Sequence, residues 1–158
     1  MKKPTSRREI AAWHAFAAPA YGRDAPEIPK ARAPSRDLEH KEQCAVIDWW
    51  RSAHNGFGLP EFALFAVPNG GSRHMLTAVR LKAEGVRSGI PDLFLAVPAM
   101  HKGYWKHGFF IEMKSAVGVP SDPQRRFFMH ADNYDYENAF CYSADEAIGY
   151  IKSYLGGP

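Results

Sequence analysis

The stretch "SGIPDLFLAV", Ser88–Val97, predicts a buried strand with a carboxylate at its entrance. Residues Leu93–Val97 form a short apolar run that follows a glycine and a proline, which is typical of a buried strand. Asp92 lies directly before this run and directly after Pro91. Because burial of an unpaired carboxylate is costly, Asp92 needs a compensating group. Asp92 is therefore the first candidate functional residue.

A second apolar run, "GFFIEMK" at Gly108–Lys114, predicts the partner strand. Alternate residues of a strand share a face, so Glu112 and Lys114 point to the same side. If the two strands pair as a hairpin, Asp92 and Glu112 become neighbours across the sheet. Two close carboxylates in a partly dry site repel each other, and a hard divalent cation such as Mg²⁺ or Mn²⁺ offsets that repulsion. Taken alone, Glu112 and Lys114 are equally consistent with a salt bridge on an exposed edge strand.

Glu42 is the third candidate acid. The segment "DLEHKEQCAVIDWWRSAH", Asp37–His54, predicts a helix, and Glu42 stands at helical spacing from Leu38 and Trp49 on its inward side. An inward glutamate needs a partner. That partner is either the metal site or an arginine at the edge of the core.

Gln124 opens a later helix, "SDPQRRFFMHADN", one turn before Phe127 and Phe128. This spacing points its amide at the sheet. A capping box of Ser121 with Gln124 is a competing role, as is capping by Asp122, and a cap and a site role for Gln124 are compatible.

The remaining pattern predicts an α/β fold in the order α-β-α-β-β-α-β-α. The segment "EFALFAVP" predicts a strand, and "SRHMLTAVRLKAEG" predicts a second helix with Val79 and Ala83 on its inner face. A strand in "NAFCYS" and a helix capped by Ser143 close the chain. Such alternation indicates a sandwich with a small mixed β-sheet flanked by helices, its middle strand pair a hairpin.

Length and composition predict one folded domain with an N-terminal arm. The chain has 158 residues, of which 46% are hydrophobic and 13% aromatic, enough for a single core. Residues 1–36 are basic and rich in proline and alanine, and we expect an arm there and the folded domain at residues 37–158. Neither a membrane span nor a secretion signal is recognisable, so we expect no membrane association and a cytoplasmic protein, in the host cytoplasm if the source is viral.

Charge is distributed unevenly along the chain. Residues 73–126 hold nine Lys or Arg against four Asp or Glu, whereas residues 127–158 hold one against five. A basic middle and an acidic end are consistent with one face that attracts a polyanion, and equally with ordinary surface charge.

Three minor features have weaker signals. Cys44 and Cys141 read as reduced core residues, and the seven histidines form no zinc-binding pattern. The segment "HKGYWKH", with Tyr104 and Trp105, reads either as a hairpin tip or as a nucleic-acid contact. The "VPNGG" turn would expose backbone N–H groups to an anion.

These motifs together resemble a known family. Glu42 and Gln43 before an apolar helix, "VPNGG", "LKAEGVRSGIPDLFL", "FFIEMK" and "SDPQRRF" are similar to the virus-type replication-repair nuclease (VRR-NUC) domain, in its free-standing viral or bacterial form. This family lies within the PD-(D/E)XK nuclease superfamily. The resemblance extends from about Leu38 to Leu155.

The resemblance implies a restriction-endonuclease-like sandwich with a metal-dependent active site. The implied metal ligands are Glu42, Asp92, Glu112 and the backbone carbonyl of Met113. Lys114 would be the catalytic lysine, and Gln124 would help to order the site. The implied cofactor is Mg²⁺, with Mn²⁺ able to substitute.

The implied activity is hydrolysis of phosphodiester bonds in branched DNA by a homodimer similar to Holliday-junction resolvases, leaving 5′-phosphate and 3′-hydroxyl ends. A nicking, flap or restriction-type nuclease and a non-catalytic nucleic-acid-binding module are the alternatives. Ser88 and Gly89 would let a phosphate backbone come close. The expected DNA contacts are Asn69, Gly70, Ser72, Arg73, Arg87, Ser88 and Arg125.

Overall fold

The computed structural model describes residues 36–68 and 75–156, and within them it has four α-helices and six β-strands. The predicted arm therefore lies outside the described residues, apart from Arg36. None of the described helices is long and apolar enough to cross a membrane. The elements are α1 (Arg36–Ala53), β1 (Leu64–Ala66), α2 (Met75–Ala83), β2 (Leu93–Leu95), β3 (Ala99–His101), β4 (Tyr104–Lys106), β5 (Phe109–Met113), α3 (Asp122–Asn133), β6 (Glu137–Cys141) and α4 (Ala144–Tyr154).

Four strands form one mixed sheet in the order β1-β2-β5-β6. The β1–β2 and β2–β5 pairs are antiparallel, which confirms the predicted pairing of the two middle strands. The β5–β6 pair is parallel, with α3 as the connection between the two strands. The fold class is thus the predicted mixed α/β type with a small sheet.

One face of the sheet packs on α1 and α4. Leu93, Leu95 and Ile111 are fully buried there, together with Val46 of α1 and Ile151 of α4. Burial of side chains of this size contributes roughly 1.5–3 kcal/mol each to folding. This core holds the sheet rigid behind the polar end of β5.

The opposite face of the sheet packs on α3. The Phe128 ring of α3 stacks on Phe140 of β6 at a centroid distance of 4.1 Å, and Phe127 meets Phe110 of β5 edge to face. The face that carries Phe110 also carries Glu112, because the two residues are two positions apart on one strand. Therefore α3 covers the side of the sheet on which the candidate acids lie.

The connection between β2 and β5 forms a hairpin of its own. Strands β3 and β4 pair as a separate two-stranded sheet, and Lys102 and Gly103 turn the chain at φ of 50° and 81°. The predicted element order lacked these two strands. The "HKGYWKH" segment is thus a hairpin, with Trp105 54% exposed.

Four side-chain predictions were wrong. Leu38 of α1, expected on the inward side, is 51% exposed. Cys44 is exposed, although Cys141 is buried as expected, and both are free thiols. Val79 of α2 is 65% exposed and Ala83 is exposed, so neither lies on an inner face.

Candidate active site

Asp92 and Glu112 face each other at one end of the β2–β5 pair. Leu93 pairs with Ile111 in the antiparallel register, so the next step along the pair sets Asp92 opposite Glu112. The Asp92 Oδ2 atom accepts a hydrogen bond of 2.9 Å from the backbone N–H of Met113. The sheet itself therefore holds the two carboxylates together, as the sequence predicted.

Glu112 is buried, at 3% exposure, and two donors bind one of its oxygens. Lys114 Nζ lies 2.6 Å from Glu112 Oε1, and Gln124 Nε2 donates to the same oxygen. The other oxygen, Oε2, is buried without a hydrogen-bond partner among the described residues. A buried carboxylate oxygen without a donor is costly, so this position favours a cation or another donor.

Burial raises the pKa of the Glu112 carboxyl from an ordinary 4.5 to about 7. The Asp92 carboxylate adds to the rise, while the hydrogen bond and the charge of Lys114 lower the pKa. A weaker upward contribution to the Glu112 pKa comes from Glu39. Burial and the neighbouring carboxylates together therefore outweigh Lys114 in setting the Glu112 pKa.

Gln124 makes both of the contacts considered from the sequence, one at the start of its helix and one toward the sheet. Its Oε1 atom accepts hydrogen bonds from the backbone N–H of Ser121 (2.8 Å) and from the Ser121 hydroxyl (3.0 Å), which completes a capping box at the start of α3. Its Nε2 atom donates to Glu112. The first turn of α3 is thus hydrogen-bonded directly to Glu112 of the acidic pair.

Helix α1 supplies two glutamates, and only one of them lies against the acidic pair. Glu39 Oε1 accepts a hydrogen bond of 3.0 Å from the backbone N–H of Ser115, just after Lys114, and Glu39 acts on the Glu112 pKa. Glu42 Oε2 instead accepts a 2.5 Å hydrogen bond from Ala144 N–H at the start of α4. The role of Glu42 as a metal ligand stays a prediction.

Glu39 is a site residue that the sequence reasoning missed. It stands seven residues before Val46, which is fully buried, but Glu42 stands four residues before Val46, so helical spacing from Val46 admits both glutamates and does not choose between them.

The donor set around Glu112 fits a hard divalent cation with few protein ligands. Among the described residues, no three Asp, Glu, His or Cys side chains are grouped closely enough to hold a metal ion. Two carboxylates, from Asp92 and Glu112, are nevertheless what Mg²⁺ commonly takes from a protein, since it retains waters and substrate oxygens as its other ligands. The Met113 carbonyl follows Glu112 directly in the chain and offers one more oxygen.

The expected DNA contacts remain predictions. Arg87 and Ser88 are exposed on the loop that leads to Asp92. Arg125 is exposed on α3 and pairs with Asp122 and with the Pro120 carbonyl. The other four, Asn69, Gly70, Ser72 and Arg73, lie outside the described residues.

Comparison with protein families identifies the chain. The family model of the VRR-NUC domain matches residues 28–145, most of the sequence. The chain belongs to the VRR-NUC family. Its domain is therefore a nuclease domain, and DNA is its substrate class. The matched segment contains every described residue of the site, from Glu39 to Ala144.

A solved structure shares the fold of this VRR-NUC chain. It is described as "VRR_NUC domain protein" and superposes with a TM-score of 0.61 at 22% sequence identity, covering 75% of this chain and 88% of the other. At this identity the likeness concerns the fold alone. No curated protein matches the chain.

Proposed function

We propose that this VRR-NUC chain is a metal-dependent endonuclease that hydrolyses phosphodiester bonds in branched DNA. The observation that carries the proposal is the pair of facing carboxylates, Asp92 and Glu112, with Lys114 on one oxygen of Glu112 and no donor from the described residues on the other. This set matches the acid-acid-lysine motif of PD-(D/E)XK nucleases, so we assign the fold to that superfamily.

In this proposal Mg²⁺ is held by Asp92, Glu112 and the Met113 carbonyl, and Mn²⁺ can replace it. When bound, the cation lowers the pKa of a water molecule and neutralises charge on the phosphoryl oxygens. Glu39 is the glutamate of α1 that lies beside these ligands, whereas Glu42 accepts a hydrogen bond from the start of α4.

The protein residues position the reactants. The Lys114 ammonium, which pairs with Glu112, would also donate to the attacking water or to a phosphoryl oxygen. Gln124 keeps its bond to Glu112 and fixes the carboxylate plane. Hydrolysis by this route leaves the phosphate on the 5′ end and a hydroxyl on the 3′ end.

The first experiment compares wild type with Asp92→Ala and Lys114→Ala on four-way junction, flap, single-stranded and linear duplex DNA. We expect Mg²⁺-dependent cleavage of the branched substrates, loss of cleavage in EDTA, and loss of at least about a hundredfold in rate in each variant. Lys152→Ala, an exposed lysine of α4, is the control and should keep wild-type activity. Undiminished cleavage by both site variants would disprove the site assignment.

The same substrates separate the alternatives. Preferred cleavage of flaps, nicking of duplex, or cutting of unbranched duplex would assign one of the other nuclease classes. Salt-sensitive binding without cleavage in any metal would indicate a non-catalytic binding module. Light scattering of the free protein tests the proposed homodimer, and the cytoplasmic location stays a prediction.

A further inference from the structure

The loop that carries Asp92 touches the first turn of α3 through Gly89. This glycine has φ +87°, and a Cβ added to it would lie 2.6 Å from the backbone carbon and from the Cβ of Pro123. Non-bonded carbon atoms do not approach each other so closely. Pro123 therefore takes the space beside Gly89 that the sequence assigned to a phosphate backbone.

The residue after Pro123 is Gln124, which donates to Glu112. The contact at Gly89 thus sets the position of the turn from which the Gln124 side chain extends. A shift of this turn by a few tenths of an ångström or more would lengthen or break the bond between Gln124 Nε2 and Glu112.

Ser121 fixes the orientation of the same amide. Its backbone N–H and its hydroxyl both donate to Gln124 Oε1, at 2.8 and 3.0 Å. A backbone N–H can only donate, so the reversed amide would set two donors against each other. The NH₂ group is therefore directed at Glu112.

We propose that Gly89 and Ser121 are positioning residues that hold the Gln124 amide on Glu112. This inference rests on the proposed nuclease function. Gly89 sets where the first turn of α3 lies. The Ser121 backbone N–H sets which end of the amide faces the carboxylate, and the Ser121 hydroxyl adds a second hydrogen bond to Oε1. Neither residue touches the reacting atoms.

The main test is Gly89→Ala with Gly85→Ala as its matched control. Gly85 also has a positive φ, +96°, on the same loop, but a Cβ there would meet no atom of the described residues within 4 Å. Both variants carry the strain of a left-handed alanine, and only Gly89→Ala pushes on Pro123. We expect kcat to fall about ten- to hundredfold in Gly89→Ala with KM within about twofold of wild type, and both parameters to stay near wild type in Gly85→Ala.

Ser121→Ala is the second test, with Ser143→Ala as control. Ser143 caps α4 by accepting a hydrogen bond from Glu146 N–H, so it matches Ser121 as a helix cap. Ser121→Ala removes the hydroxyl bond to Gln124 Oε1 and keeps the backbone N–H, so the amide keeps its orientation but is held by one hydrogen bond fewer. We expect kcat to fall in Ser121→Ala and to stay near wild type in Ser143→Ala. If Gly89→Ala does not fold, Ser121→Ala decides the proposal.

Double variants show whether both residues act through Gln124. Gln124→Ala should lower kcat in the wild-type background and add little in Gly89→Ala or Ser121→Ala. Fully additive losses, or equal losses in each variant and its control, would overturn the proposal.

A readout without catalysis separates this inference from the proposed function. The side-chain NH₂ resonances of Gln124, assigned by their loss in Gln124→Ala, should move in Gly89→Ala and Ser121→Ala and stay in place in the two controls. An inactive wild type would reject the nuclease proposal, and the resonances would still decide the positioning role. Unmoved resonances in both site variants would refute that role.

Discussion

At the scale of single residues, Glu112 makes folding depend on pH. Its pKa rises from 4.5 to about 7 in the fold, chiefly through burial and then through the Asp92 carboxylate. The folded protein therefore binds a proton more tightly than the unfolded chain between these two values. The stabilisation from protonated Glu112 is complete below pH 4.5 and is lost as the pH rises to 7.

We expect the free energy of unfolding of the metal-free protein to fall by up to about 3 kcal/mol between pH 5 and pH 8 because of Glu112. Urea unfolding in EDTA measures this change. Glu112→Gln should abolish it, whereas Glu84→Gln, an exposed glutamate of the α2 end, should keep it. A pH dependence that is the same in Glu112→Gln and wild type would contradict the burial argument. Addition of Mg²⁺ at pH 8 should raise the free energy of unfolding of the wild-type protein but not that of the Glu112→Gln variant.

At the scale of elements, α1 carries two carboxylates one turn apart that bind different partners. Glu39 meets the end of β5 at Ser115, and Glu42 meets the start of α4 at Ala144. A carboxylate at a helix N-terminus gains from the backbone N–H groups and the helix dipole. The two residues thus differ in what they stabilise.

We expect Glu42→Ala to lower the free energy of unfolding by about 1–2 kcal/mol, since it leaves Ala144 N–H without its partner. Glu39→Gln should weaken Mg²⁺ binding more than Glu42→Gln does. Chemical unfolding and calorimetric titration of Mg²⁺ measure the two effects. A larger loss of Mg²⁺ affinity in Glu42→Gln would favour Glu42 as the metal ligand, as the family resemblance implies.

Local sequence patterns predicted the helices and strands better than they predicted how those elements pack against each other. Alternation in Gly108–Lys114 predicted correctly that Glu112 and Lys114 share a face, because that follows from strand geometry alone. The choice between Glu39 and Glu42 depends on the angle at which α1 crosses β5 and α4, and two residues one turn apart do not reveal it. Val79 shows the same limit, since an apolar helical stripe predicts a face but not that another element covers it.

At the scale of the whole molecule, the uneven charge predicts salt-sensitive DNA binding. Residues 73–126 hold more Lys and Arg than Asp and Glu, and Arg87 is exposed within this segment. Lys152 is exposed within the acidic segment, residues 127–158. Binding in EDTA should weaken steeply between about 50 and 200 mM salt. We expect Arg87→Ala to reduce the slope of log affinity against log salt by about 1 and Lys152→Ala to leave it unchanged. Equal slopes for both variants and wild type would exclude Arg87 from the phosphate contacts.

The hydrogen bonds of α1 also govern when the site forms during synthesis. Glu39 is separated by 76 residues from Ser115, and Glu42 by 102 residues from Ala144. Contacts between such distant positions form late and slow folding. A nascent chain that has emerged as far as Lys114 contains Asp92 and Glu112, but neither Gln124 nor Ala144, the anchor of Glu42. The nascent chain therefore completes the contacts of Glu112 only after the first turn of α3 has emerged, and it anchors Glu42 only after β6 and the start of α4 have emerged.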